Sequence, residues 1–236
     1  MNLKRAGAAF TTATALTLGI ATPTTAVYLP RPRINYGSGY WGGPLGAPNE
    51  TGDPTTADIA IFGDSITSRC RADLTTALTA KGHTVYTWSW SGQNTRGIAA
   101  AIRSAEHLPS RVIVEAGTND LFDPPAARSP ITQLAADLTA AGTDWRWVDT
   151  YVRRPATATA DTRNSGQVNS YIHAAAGESR VVRWADALTA AQNRGRALSY
   201  YLQDGVHPWT AAGTGHADGC AFLAAVVAQA VPGAPQ

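Results

Sequence analysis

The sequence predicts a three-layer α/β/α fold around a central parallel sheet of about five strands. Short apolar runs alternate along the chain with helix-like segments of roughly 10–15 residues, the pattern of repeated βαβ units. The runs are continuously apolar rather than alternating with polar residues, as strands covered on both faces are. A length of 236 residues fits one domain, or at most two small ones, and is enough to bury a sizeable core.

Taken in order, Asp58-Ile59-Ala60-Ile61-Phe62 is the first apolar run. Ser65 to Ala80 follows as a helix, with Ile66, Leu74 and Leu78 as its apolar markers and Gly82 just past its end. Thr84 to Trp90 is a β-branched and aromatic strand, and Thr95 to Glu106 a helix. Arg111 to Ala116 is the third strand, and Ile131 to Ala141 a helix closed by Gly142. Asp144 to Thr150 is the fourth strand, Ser165 to Ala176 a helix, and Val181 to Trp184 the fifth strand. The last helix lies within Trp209 to Val231. Right-handed crossovers leave few ways to arrange such units, and a flavodoxin-like order is expected. Ligands of such folds bind beyond the carboxyl ends of the strands.

Residues 1–26 have the layout of a secretory signal peptide: Lys4 and Arg5, an apolar stretch from Ala6 to Ile20, and small residues at Thr24-Thr25-Ala26. The stretch is Thr-rich and shorter than the ~20 residues of a membrane span, so stable membrane insertion is not expected. Removing it leaves 17 basic against 17 acidic residues. That balance gives no support for nucleic-acid binding, which usually shows a basic patch. Residues 27–56 are rich in Pro, Gly, Tyr and Asn without a period, and read as an irregular arm that packs on a domain at 57–236. Export makes one disulfide between Cys70 and Cys220 the natural reading, with two separate thiols as the alternative.

Four polar turns sit at strand ends or before the last helix. They are Gly63-Asp64-Ser65-Ile66-Thr67, Ser91-Gly92-Gln93-Asn94, Gly117-Thr118-Asn119-Asp120 and Asp204-Gly205-Val206-His207-Pro208. Each alone has an ordinary structural explanation, such as a helix cap or a tight turn. Together they converge on one rim of the sheet. Ser65 opens a helix, where unpaired N–H groups favour a developing negative charge. Histidine titrates near neutral pH, so His207 is suited to take a serine proton and return it to a leaving group. Asp204, three residues earlier, is placed to orient the imidazole.

In these four blocks the sequence resembles the SGNH, or GDSL, hydrolases, over roughly residues 57–230. The first block reads Gly-Asp-Ser-Ile where the family name spells leucine, and the arm lies outside the match. The resemblance implies a serine hydrolase acting on carboxylic esters, with Ser65 as nucleophile, His207 as base and Asp204 as its partner. It implies an oxyanion hole from the backbone N–H groups of Ser65 and Gly92 and the side-chain amide of Asn119. Asp64 and Asp120 are read as fixing loops. In a flavodoxin-like order the helices carrying Cys70 and Cys220 lie side by side on one face of the sheet.

Thr67 stands where a G-x-S-x-G elbow has its second glycine, so the other common serine-esterase design is excluded. The first turn lacks a Walker lysine. His83, His107, His173 and His216 form no metal-ligand motif, and neither metal nor cofactor is expected. Trp88, Trp90, Phe122 and Trp209 lie near the rim as candidates for an acyl slot or sugar platform, although each singly suits the core. The expected substrate is a small-molecule, glycan or lipid ester, with a lean towards short acyl groups such as acetyl on an extracellular glycan, and the expected state is a secreted monomer. An O-acyltransferase acting on cell-envelope polysaccharide and a non-catalytic glycan-binding module are the alternatives; the intact set of site residues speaks against the second.

Overall fold

The computed structural model describes residues 47–234. The expected signal peptide at 1–26, and the arm up to residue 46, lie outside the described residues. Among the described residues one sheet holds six strands: β1 Asn49–Thr51, β2 Ile59–Gly63, β3 Val85–Ser89, β4 Arg111–Glu115, β5 Asp144–Val148 and β6 Val181–Val182. Their order is β1-β3-β2-β4-β5-β6. The last five in sequence pair in parallel, in the flavodoxin-like order, and β1 adds antiparallel to β3 at the edge. The sheet therefore starts within the stretch expected to be irregular. All three residues of β1 are exposed, so no apolar pattern announces it. Its pairing with β3 is reinforced by the Tyr86 hydroxyl, which donates to Glu50 at 2.7 Å.

Among the described residues six α-helices cover the sheet: α1 Ser65–Thr79, α2 Thr95–Ser104, α3 Pro124–Ala140, α4 Ala158–Ala176, α5 Trp184–Asn193 and α6 Gly219–Ala230. Successive strand side chains point to opposite faces. Ile59 and Ile61 of β2 thus join Ile113, Val148 and Val182 beneath α1, α5 and α6. Ala60 and Phe62 join Val112, Val114, Trp145 and Trp147 beneath α2, α3 and α4. Burial on both sides is why β2 reads as an unbroken apolar run.

Three boundaries differ from expectation. The strand at 181–184 stops at Val182, and Trp184 opens α5, a helix not foreseen. Ala, Leu and Gln favour helix there, but only Arg183 separates strand from helix, without turn residues. Helix α3 starts at Pro124 and runs through Pro130. Proline suits a first turn but ordinarily argues against a helix interior, so the sequence pattern places the start only at Ile131. Helix α4 begins at Ala158, a turn and more before Ser165. Among the described residues, no helix is long and apolar enough to cross a membrane.

Cys70 of α1 and Cys220 of α6, separated by 150 positions in sequence, are joined by a disulfide, with their Cα atoms 4.9 Å apart. Both are fully buried where the two helices pack. A closed loop of this length predicts that the Cys70→Ala/Cys220→Ala variant loses about 2–5 kcal/mol relative to the oxidised protein. Urea denaturation with and without reductant measures the difference. Equal midpoints for variant and oxidised protein would show that the clasp adds nothing.

Just past β5, the Asp149 carboxylate accepts the Ala185 N–H at 2.8 Å, at the start of α5. Burial pushes this carboxyl up to about 6, against smaller opposing effects of the Ala185 N–H and of His173. A raised carboxyl pKa favours folding most below the ordinary value near 4. That contribution, on the order of 3 kcal/mol, fades as pH rises through about 6. The Asp149→Asn variant should accordingly gain melting temperature relative to wild type between pH 4 and pH 7. A difference that stays flat with pH would count against this account.

Candidate active site

In this strand order the crossovers diverge between β2 and β4, and the turns after them meet at the sheet's carboxyl edge. Ser65 is the first residue of α1, behind Asp64 as N-cap. Two buried carboxyl groups organise this helix end. Asp64 Oδ1 accepts the Ile66 N–H at 2.9 Å. Glu115 Oε2, at the end of β4, accepts the N–H groups of Asp64 and Thr67 at 3.3 and 3.2 Å and the Thr67 hydroxyl at 3.1 Å. Among the described residues, no acceptor takes the Ser65 N–H. Burial, with Glu115 beside it, pushes the Asp64 carboxyl well above the usual carboxylate range.

The turn between the short 3-10 helix Leu198–Tyr200 and α6 carries Asp204 and His207. Leu202 and Pro208 pair across it, and the Gln203 N–H donates to His207 O at 2.8 Å. Gly205 lies at φ +82°, and a Cβ there would sit 2.3 Å from Arg153 O. The turn is pressed against the segment after β5, where the Arg153 N–H donates to Gly205 O at 2.8 Å. Asp204 Oδ1 accepts the N–H groups of Val206 and His207 at 2.9 and 2.8 Å. Asp204 Oδ2 lies 2.8 Å from His207 Nδ1, and His207 Nε2 lies 2.9 Å from Ser65 Oγ. With His207 Nδ1–H donating to the Asp204 carboxylate, Nε2 is left to accept the serine hydroxyl. Partial burial of Asp204 acts to raise its pKa, but the hydrogen bonds from His207 and Val206 outweigh it and hold the carboxyl below its ordinary value.

Gly92 follows β3 at φ +79°, in a loop whose Asn94 caps α2 by accepting the Gly97 N–H at 3.1 Å. Buried Asp120 fastens the same loop by accepting the Thr95 N–H and hydroxyl at 2.9 and 2.8 Å. Asn119 Nδ2 donates to Asp64 Oδ2 and to Gln93 O, both at 2.9 Å. Both hydrogens of this amide thus have protein acceptors.

Ser65, Gly92, Asn119, Asp204 and His207 line one cleft of about 430 Å³, together with Phe122 and Arg154. Of the four rim aromatics, Phe122 alone reaches this cleft. Trp88 and Trp90 are core residues beneath α2, and Trp209 stacks on His216 at 4.1 Å, away from the lining. Arg154 and Glu115 were not foreseen. A glutamate closing an apolar strand was a readable signal for a buried, bonded carboxylate. Arg154 carried none.

Residues 61–214 match the model of the GDSL-like Lipase/Acylhydrolase family. The chain belongs to that family. It is a carboxylic ester hydrolase. No protein of curated function matches this GDSL-like hydrolase in sequence. Solved structures resemble it in fold. A GDSL-like lipase from Bacteroides thetaiotaomicron superposes with a TM-score of 0.57 at 19% identity, over 73% of this chain and 86% of the other. An acetyl xylan esterase, AlAXEase, gives 0.56 at 16% identity, over 73% of this chain and 98% of the other. TesA gives 0.56 at 21% identity, over 73% and 96%.

The turn geometry of the GDSL-like hydrolase makes Gly205→Ala a test of the packing behind the histidine. The backbone clash and the left-handed φ predict a loss of about 2 kcal/mol or more. Chemical denaturation reads it, and a loss below about 0.5 kcal/mol would mean that the turn has room to move.

Proposed function

We propose that this GDSL-family hydrolase is a secreted serine esterase working through an acyl-enzyme on Ser65. The observation that carries the reading is the unbroken chain from Ser65 Oγ through His207 to Asp204, at 2.9 and 2.8 Å. Ser65 Oγ attacks the ester carbonyl as His207 Nε2 takes its proton. The negative oxygen settles against the Ser65 and Gly92 N–H groups, and Asn119 joins by sharing an amide hydrogen now held by Asp64 or Gln93 O. Collapse expels the alcohol, which takes the proton from His207. Water then attacks the acyl group, giving up its proton to the same nitrogen, and the acid leaves as Ser65 regains its hydrogen.

A cleft of about 430 Å³ with Phe122, Val152 and Val206 on its walls suits short acyl groups, acetyl esters of glycans or small esters, better than long chains. The acetyl xylan esterase among the similar folds is in keeping with that class. Secretion is supported by the composition of residues 1–26 and by the disulfide. Residues 57–236, together with the edge strand β1, are taken as the hydrolase unit.

Hydrolysis of p-nitrophenyl acetate, butyrate and palmitate tests the reading. Wild type should cleave the first two well and palmitate poorly. Ser65→Ala and His207→Ala should each lose about 10³-fold or more in kcat, and Asp204→Ala a smaller factor. Equal rates for wild type and Ser65→Ala would remove Ser65 from the chemistry. A folded wild type inert on every ester would instead favour acyl transfer or binding alone.

A further inference from the structure

Arg154 stands on the wall of the cleft, just before the turn into α4. Its guanidinium is fixed on two sides. Asp161 Oδ1 accepts from Nη2 at 2.6 Å and Oδ2 from Nε at 3.1 Å. The ring of Phe122, also on the cleft wall, lies 5.3 Å below the guanidinium carbon, a cation–π distance. Arginine offers five N–H donors in a rigid fork. Asp161 takes one from Nε and one from Nη2. Among the described residues no other hydrogen-bond acceptor meets this fork, so the Nη1 edge is unspent.

The two partners are exposed very unequally. The Asp161 side chain is 3% exposed, and that of Arg154 32%. Asp161 is also saturated, since Oδ2 further accepts the Arg154 N–H and the Thr157 hydroxyl, both at 2.8 Å. The aspartate is therefore an anchor behind the wall, and the cation is the part that faces the cleft. The Asp204 carboxylate also acts on Arg154 through its charge. Its oxygens are committed to His207 and the Val206 N–H. Arg154 lines the same cleft as Ser65 with part of its fork untaken. An anchored guanidinium with an open edge is the arrangement that binds carboxylate or phosphate oxygens through charge-assisted hydrogen bonds.

We propose that Arg154 forms an anion subsite beside Ser65, and that the preferred substrates are esters of molecules bearing a carboxylate or phosphate near the reacting group. This rests on the esterase reading above and narrows its substrate class. The anion lies along the Nη1 edge, while Phe122 and Asp161 keep the guanidinium plane from turning away.

Matched esters test it on the intact protein. One pair is 4-acetoxybenzoate and its methyl ester, with the anion on the leaving group. The other is p-nitrophenyl hydrogen succinate and p-nitrophenyl butyrate, with the anion on the acyl group. In wild type, kcat/KM should favour the anionic member of at least one pair by about tenfold, and added sodium chloride should shrink that ratio. Arg154→Met should abolish the ratio, and Arg154→Lys should restore part of it. Benzoate and phenyl phosphate, as competitive inhibitors of p-nitrophenyl acetate cleavage, identify which oxyanion fits better. A wild type that cleaves the neutral esters with no anionic preference in either pair overturns this proposal and leaves the esterase reading standing, whatever the variants do. So does a preference that survives in folded Arg154→Met. A folded wild type that cleaves no member of either pair overturns both.

Discussion

The amino end of α1 is held from below by buried carboxyl groups, and the geometry of the cleft descends from that contact. A helix start leaves its first N–H groups without intrahelical partners. Here Asp64 takes the Ile66 N–H and Glu115 takes that of Thr67. Gly63 has no side chain, and a Cβ there would lie 2.0 Å from Thr67 Oγ1, so the strand passes directly into the helix against the Thr67–Glu115 contact. The unclaimed donor is that of Ser65, the residue whose hydroxyl faces His207. Asp64 extends the same network to Asn119, which continues to the loop after β3 through Gln93 O. One buried polar cluster thereby sets the mutual positions of three of the four rim turns. Such clusters hold their shape because an unmatched member in a low-dielectric site is costly.

The fourth turn is positioned by a different device. Asp204 and His207 belong to an irregular stretch, and close backbone packing keeps it in place. The positive φ of Gly205 lets the turn lie flat against Arg153, and the Trp209 N–H and Cys220 N–H continue the chain of backbone bonds into α6. The serine side of the site rests on buried carboxyls, and the histidine side on main-chain contact and a disulfide-bonded helix.

Much of this was legible before the structure. Buried parallel strands are written as continuous apolar runs, so β2 to β5 could be placed from the pattern, while the resemblance of four polar blocks to the GDSL hydrolases named the cleft residues Ser65, Gly92, Asn119, Asp204 and His207. What escaped has physical reasons. Strand β1 is exposed and held largely by backbone pairing, which no side-chain period records. Helix α5 follows β6 with only Arg183 between, and prolines hid the true start of α3. Glu115 and Arg154 depend on distant partners, on Thr67 in one case and on Asp161 and Phe122 in the other. The engagement of Asn119 by Asp64 and Gln93 is likewise a tertiary fact. A sequence pattern can place the amide at the rim, but not say where its hydrogens point.

The Cys70–Cys220 bond closes a loop between positions 150 apart in sequence. Every strand from β3 onward lies inside it, and so do Gly92, Asn119, Asp204 and His207, while Ser65 lies just outside, less than two turns of α1 away. A single cut by a protease at any surface loop within that span leaves two pieces still covalently joined through the core. The serine and its histidine then remain parts of one molecule, and a nicked chain keeps the means to close up again. In surroundings rich in proteases, such a link lets a molecule outlast damage to its own backbone.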